Sequence, residues 1–134
     1  MSSPSPRAYR FIGSERSYFS GKARPAFRAK RLYFDEILPT AEVMREMRRR
    51  TGVSFLPTVV TPEDETWQDT SDILDALERR HPQPALFPPT PVQRLVSYLI
   101  ELYADEFMIL PAMHYRWGTP EGERDARDSF AAAT

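Results

Sequence analysis

Cysteine is absent from this chain, and that absence excludes a good deal of chemistry. No disulfide can staple the fold, no thiolate can hold a metal, and no side-chain thiol can act as a nucleophile. Histidine is almost as scarce. His81 and His114 stand too far apart in sequence to form a ligand motif, so no metal site is expected. No run of about 18 apolar residues occurs, which excludes a helical membrane span of ordinary length. Charge of one sign is lacking too: 18 Lys and Arg against 19 Asp and Glu leave a formal charge of −1. Neither nucleic acid nor an anionic membrane is therefore expected as a partner. Met1–Arg10 has no signal-peptide core, and the expectation is a cytoplasmic protein.

What is present fits an ordinary folded chain. Apolar residues make up 41% and charged residues 28% of the 134 positions, enough for one domain with its own core. Proline, at 13 residues, stands at about twice its usual share. It gathers at Ser3–Pro6 and at His81–Pro91, marking a loose start and a stiff linker. Residues 1–7 are expected to be disordered.

Ala8–Ile12 is predicted as a strand ended by Gly13 and Ser14. Arg16–Ser20 leads into a helix over Gly21–Lys30, where Ala23, Ala26 and Phe27 keep helical spacing and Pro25 should kink it. Leu32–Ile37 is a second strand. Ala41–Arg50 is a helix that Thr51 and Gly52 close. Thr58–Thr61 and Glu65–Gln68 form a hairpin across Pro62–Asp64. Asp69 or Thr70 caps a helix over Ser71–Arg80, and the proline-rich stretch that follows cannot be helical. Pro91 then opens one long helix, with Val92, Leu95, Val96, Leu99, Tyr103 and Phe107 on a single face.

The order β-α-β-α-β-β-α implies a parallel pair through a right-handed crossover, with an antiparallel hairpin added: a four-stranded mixed sheet. The tail after Pro111 carries too few apolar residues to finish a second core. The chain is thus expected to stop before an all-α domain is complete.

Four segments in register resemble the glutathione transferase superfamily. Ser17-Tyr18-Phe19-Ser20 with Lys22 and Arg24 is similar to the family's first-helix signature. Phe55-Leu56-Pro57-Thr58-Val59 resembles its cis-proline element. Gln68-Asp69-Thr70 stands where the family has an acidic residue followed by Ser or Thr. Ile73–Pro82 matches the helix end before the interdomain linker. Tyr18 departs from the family's proline, and Pro25 from its usual helix former. The resemblance implies a thioredoxin-like α/β domain over residues 8–81, a linker over 82–90, and the beginning of the helical domain over 91–134. Without cysteine, such a domain cannot perform dithiol–disulfide exchange.

It also implies glutathione as co-substrate. An ordinary cysteine thiol has a pKa of about 8.5, so its thiolate must be stabilised to act at neutral pH. A hydroxyl at a helix N-terminus supplies a donor and a favourable dipole. Ser17 is the candidate, with Ser20 one turn further in as the alternative; Ser17 also reads simply as a helix cap. Phe19 would line the site. A cis Leu56–Pro57 bond would present the Leu56 backbone to the cysteinyl backbone of glutathione like an added strand. Asp69 would meet the γ-glutamyl ammonium and Thr70 its carboxylate, with Gln68 contributing. Arg48–Arg50 read as a solvated face, the alternative being that one of them, or Arg45, reaches the glycyl carboxylate; Trp67 reads as sheet packing. His114, Tyr115 and Trp117 either edge a second pocket or pack. The second substrate would be a small electrophilic or apolar molecule, and the partner a second copy in a homodimer. The rivals are a non-catalytic binding or dimerisation module of the same fold, and a carrier of apolar compounds.

Overall fold

The computed structural model describes residues 8–131, so the expectation for residues 1–7 lies outside it. The chain divides into two compact units, with the boundary between Pro84 and Ala85.

In the first unit, β1 (Tyr9–Ile12), α1 (Tyr18–Ala29), β2 (Phe34–Ile37), α2 (Ala41–Thr51), β3 (Thr58–Val60), β4 (Thr66–Gln68) and α3 (Thr70–Arg80) follow in order. The sheet runs β2-β1-β3-β4. β1 and β2 are parallel, from Tyr9 opposite Phe34 to Ile12 opposite Ile37. β3 lies antiparallel to β1, and β4 antiparallel to β3. This is the four-stranded mixed sheet of a thioredoxin-like domain.

The alternation of β1 divides the core. Phe11 meets Phe27 of α1 edge to face, ring centroids 5.6 Å apart, and Tyr9 meets the same ring at 5.5 Å. Ile12 packs instead with Met47 of α2 and Val60, flanked by Ile37, Val43, Met44 and Leu56. Thr40 caps α2, and Gly52 ends it with a left-handed φ of 81°, as the Thr51-Gly52 pair predicts. β2 starts two residues later than expected. Arg31 takes a positive φ of 55°, and the turn it makes uses up Leu32 and Tyr33.

Pro25 does not break α1, which runs unbroken through it. The bond it cannot make would go to the carbonyl of Gly21, four residues back. Gly21 is exposed and has no side chain to cover that carbonyl. Arg24 closes on Glu36 with its Nε at 3.0 and 3.1 Å from the two carboxylate oxygens, tying α1 to β2.

At the end where β1 and β2 begin, Lys30 is the principal tie. Its side chain is wholly buried, and Nζ donates to Glu78 Oε2 (2.7 Å), to the His81 carbonyl (2.5 Å) and to the Pro84 carbonyl (3.0 Å). An ammonium has three donors, and all three are used. The Tyr9 hydroxyl and His81 Nε2 lie 2.8 Å apart beside it.

The second unit corrects the expectation of one long helix. α4 (Pro91–Glu106) is followed by α5 (Ile109–Trp117) and α6 (Pro120–Ala131). The break has a cause in Pro111, whose ring would collide with the carbonyl of Phe107 in a continuous helix. With the chain interrupted at Phe107 and Met108, Pro111 becomes the third residue of α5, where no N–H is needed. The tail is helical as well. Thr119 Oγ1 accepts from Gly122 N at 3.1 Å and Pro120 takes the first helical position. Trp117 stacks on Phe130 at 6.1 Å, and Ala126 is buried. No residue of α4 is buried; Val92, Leu99 and Tyr103 are 72%, 56% and 56% exposed.

Candidate functional site

The sheet register fixes where the site candidates emerge. Ile12 pairs with Ile37 on one side and Thr58 on the other, and Thr58 pairs with Gln68. The residues just beyond that row are Gly13, Pro57 and Asp69. The loop to α1, the loop before β3 and the start of α3 thus all leave the sheet at one edge, where the parallel strands end. In open α/β sheets that edge is where ligands bind.

Ser17 is the N-cap of α1. Its Oγ accepts from Ser20 N at 3.1 Å, and its own hydrogen has no acceptor among the described residues. The first turn of α1 contains no acidic residue to oppose the helix dipole. Ser20 is placed differently: it is fully buried, and its Oγ accepts from Ser14 N at 3.3 Å. Tyr18 and Phe19 pack edge to face at 5.3 Å, both half-buried.

The Leu56–Pro57 peptide is cis, and Pro57 is buried. Leu56 packs its side chain against the Ile12–Met47–Val60 cluster. Its backbone lies two residues ahead of the first ladder pair of β3, so it has no partner in the sheet.

Asp69 carries the most unusual backbone of the edge, with φ 74° and ψ 130°. A residue with a side chain adopts such angles at a cost of about 1–3 kcal/mol, and strain of that kind gathers at binding sites. Asp69 is also the cap of α3, with Oδ1 accepting from Ser71 N at 2.9 Å, while the side chain remains exposed. Thr70, 5% exposed, opens the helix. Gln68 is half-buried at the end of β4. Capping of α3 is thus geometrically real; the strain is what capping alone does not require.

Two neighbours of these residues were not named as site candidates from sequence. Lys22 Nζ donates to Ser71 Oγ at 3.2 Å, joining α1 to the first turn of α3 and setting a cation beside it. No local pattern announces a pair 49 positions apart. Ser14 is the other, and the three-residue spacing of Ser14, Ser17 and Ser20 was a visible signal for it. The arginines of α2 divide: Arg50 is spent on Glu46 (3.1 Å) and Asp64 (2.9 Å), while Arg45, Arg48 and Arg49 are exposed. Trp67 lies under the Arg80 guanidinium at 5.2 Å, beside an open depression bounded by Glu65, Ala76 and Arg79. No group of three or more potential ligands able to hold a metal ion occurs among the described residues. Nor is any described helix long and apolar enough to cross a membrane.

The pattern of the glutathione S-transferase N-terminal domain matches residues 11–85. No curated protein matches the chain. Among solved structures, a glutathione S-transferase from Methylobacterium radiotolerans, in complex with glutathione sulfonate, superposes with a TM-score of 0.70. It is 23% identical, and the match covers 94% of this chain and 63% of that one. The Tau class enzyme from mango gives 0.72 at 16% identity, with 92% and 58% covered. A glutathione S-transferase from Methylobacillus flagellatus with bound glutathione gives 0.67 at 18% identity, with 94% and 66% covered. At these identities the likeness is one of fold. The chain spans 63% and 58% of the length of the first two.

Proposed function

Because the chain belongs to the glutathione transferase superfamily, we propose that it binds glutathione at the edge where β1 and β2 end and activates the thiol for attack on a small electrophilic, apolar molecule. The observation that carries this reading is the Ser17 hydroxyl: a hydrogen with no acceptor among the described residues, at the N-terminus of a helix whose dipole favours negative charge. The glutathione and glutathione sulfonate held by two of the relatives support the choice of ligand.

The residues divide the work as follows. Ser17 donates to the sulfur and holds it as thiolate; each pKa unit of depression needs about 1.4 kcal/mol of preferential stabilisation. Leu56 offers its backbone N–H and C=O to the cysteinyl backbone, with Pro57 setting its direction. Asp69 takes the ammonium of the γ-glutamyl group, and Thr70 takes its carboxylate at the N-terminus of α3. Gln68 and Phe19 border the site. Residues 8–81 form the glutathione-binding domain, 82–90 the linker and 91–134 the start of the helical domain. The protein is cytoplasmic in this reading.

One observation favours a second reading. The exposed apolar face of α4 suits a non-catalytic binding or dimerisation module, in which that face meets another copy.

Titration with glutathione, followed by tryptophan fluorescence and by calorimetry, tests the first reading. A saturable response that Asp69→Ala weakens by about tenfold or more, as loss of a charge-assisted contact requires, supports it. Silence in both measurements on folded protein sinks it and leaves the module. Turnover of a generic electrophile then separates an enzyme from a binder.

A further inference from the structure

Between β1 and the body of α1, three serines at three-residue spacing close a ring. Ser14 N–H donates to Ser20 Oγ at 3.3 Å, Ser17 N–H to the Ser14 carbonyl at 3.1 Å, and Ser20 N–H to Ser17 Oγ at 3.1 Å. Ser20 has no exposed surface, so a ligand cannot reach its hydroxyl without rearrangement. Gly13 lies directly against it. A Cβ at position 13 would stand 2.9 Å from Ser20 Oγ and 2.5 Å from Phe11 Cε1, so only glycine lets the loop approach this closely.

We propose that Ser20 is a positioning residue for Ser17: its buried Oγ holds the Gly13–Ser17 loop against α1 and so aims the Ser17 hydroxyl at the thiol of glutathione. This rests on Ser17 being the thiol donor, and it assigns Ser20 a role distinct from that of an alternative donor. A serine hydroxyl has one hydrogen and two lone pairs. With one lone pair of Ser17 taken by Ser20 N–H, the hydrogen is confined to the remaining directions. What selects the useful one is the placement of the Ser17 backbone, which the ring fixes at Ser14. Loss of the Ser20 oxygen would turn Ser14 N–H to water and let the loop leave the helix. A displacement of about 1 Å at a reacting group is enough to cost catalysis dearly.

The test is a pH titration of bound glutathione labelled with carbon-13 at its cysteinyl Cβ, on the full chain and its variants. Ser17→Ala should raise the bound thiol pKa by about one to two units, the worth of one charge-assisted hydrogen bond. Ser20→Ala should raise it by at least about half a unit, with glutathione affinity changed by less than about threefold. The double variant should match Ser17→Ala alone, because Ser20 acts only through Ser17. A shift in Ser17→Ala with none in Ser20→Ala overturns the positioning role and leaves the thiol donor standing, whatever Ser20→Ala does to thermal stability. No shift in Ser17→Ala, or no binding of glutathione at all, removes the donor and this role together. Should Ser20→Ala fail to fold, Ser20→Cys keeps the side chain's connectivity with a larger, much weaker acceptor and must show the same direction of shift.

Discussion

At the edge where the parallel strands end, Ser17 has a hydrogen that no acceptor among the described residues takes up, and Asp69 holds a strained backbone; at the opposite edge, Lys30 spends all three donors on Glu78, His81 and Pro84. Both edges are polar and both tie α1 to α3, one through Lys22 and Ser71, the other through Lys30 and Glu78. They differ in what is left over. A group whose valences are all satisfied within the chain stabilises the fold and offers nothing to a ligand. A group held in place with a valence open, or a backbone held off its preferred angles, costs stability and is available for binding. The edge where the strands begin therefore reads as structure, and the edge where they end as function.

Lys30→Met gives the largest expected effect. It takes the ammonium away from Glu78, whose side chain is only 16% exposed, and removes the Lys30 donor from two carbonyls. Breaking a buried pair by removing one partner costs about 3–5 kcal/mol. Urea unfolding should show a loss of that order, while the fraction that stays folded binds glutathione as before. A loss below about 1 kcal/mol would mean that the buried ammonium is compensated elsewhere and that the two edges differ less than their hydrogen bonds imply.

Asp69→Gly should act the other way round. Glycine adopts a positive φ freely, so strain of about 1–3 kcal/mol is relieved, while exchanging a capping side chain for glycine costs only a few tenths of a kcal/mol. Stability should stay level or rise, and glutathione affinity should fall by about tenfold to a hundredfold as the carboxylate contact goes. A variant that loses stability and keeps affinity would reduce Asp69 to a cap.

Much of the sheet domain was legible because its signals are local. β1 alternates, Gly52 stands where a left-handed cap is needed, and Asp69 stands just ahead of an amphipathic run. The helical unit was read less well although its signals were equally local. Thr119-Pro120-Glu121 is a cap, a first-turn proline and an early acid, yet the scarcity of apolar residues hid the helix it opens. Pro111, which the sequence marks as the point where the long helix gives way to the tail, stands instead in the first turn of a new helix. Lys30 was not legible at all. Lysine is rarely buried, and its partners lie 48 to 54 positions away, so no periodicity could reveal that this one is enclosed. Of the candidate site, the residue types could be named from sequence, but not which of them retain an open valence. Ser17 and Ser20 look alike in the chain. Only the fold leaves one half-buried at the helix cap and encloses the other completely.

The smallest expected effect lies at the satisfied edge and tests whether satisfaction there depends on pH. Burial, with Arg80 and Lys30 close by, holds the His81 imidazole below its ordinary value near 6.5, against a weaker opposing pull from Glu63. Burial likewise raises the Tyr9 phenol above its ordinary value, and the two rings meet at 2.8 Å. A neutral His81 accepting the Tyr9 hydroxyl at Nε2 becomes a donor once protonated, so that bond must reverse beside two cations. Because the folded state resists the proton, the unfolded chain binds it first. The stability that His81 contributes is complete above about pH 6.5 and is lost as pH falls through the lowered folded value. Tyr9 has the converse sign, losing its contribution as pH rises above about 10. Urea midpoints at about pH 7.5 and about pH 5.5 should therefore differ more for the native chain than for His81→Gln, which cannot titrate in that window. Equal differences in the two would place the acid sensitivity in the carboxylates, and would mean that the Tyr9–His81 contact is indifferent to protonation.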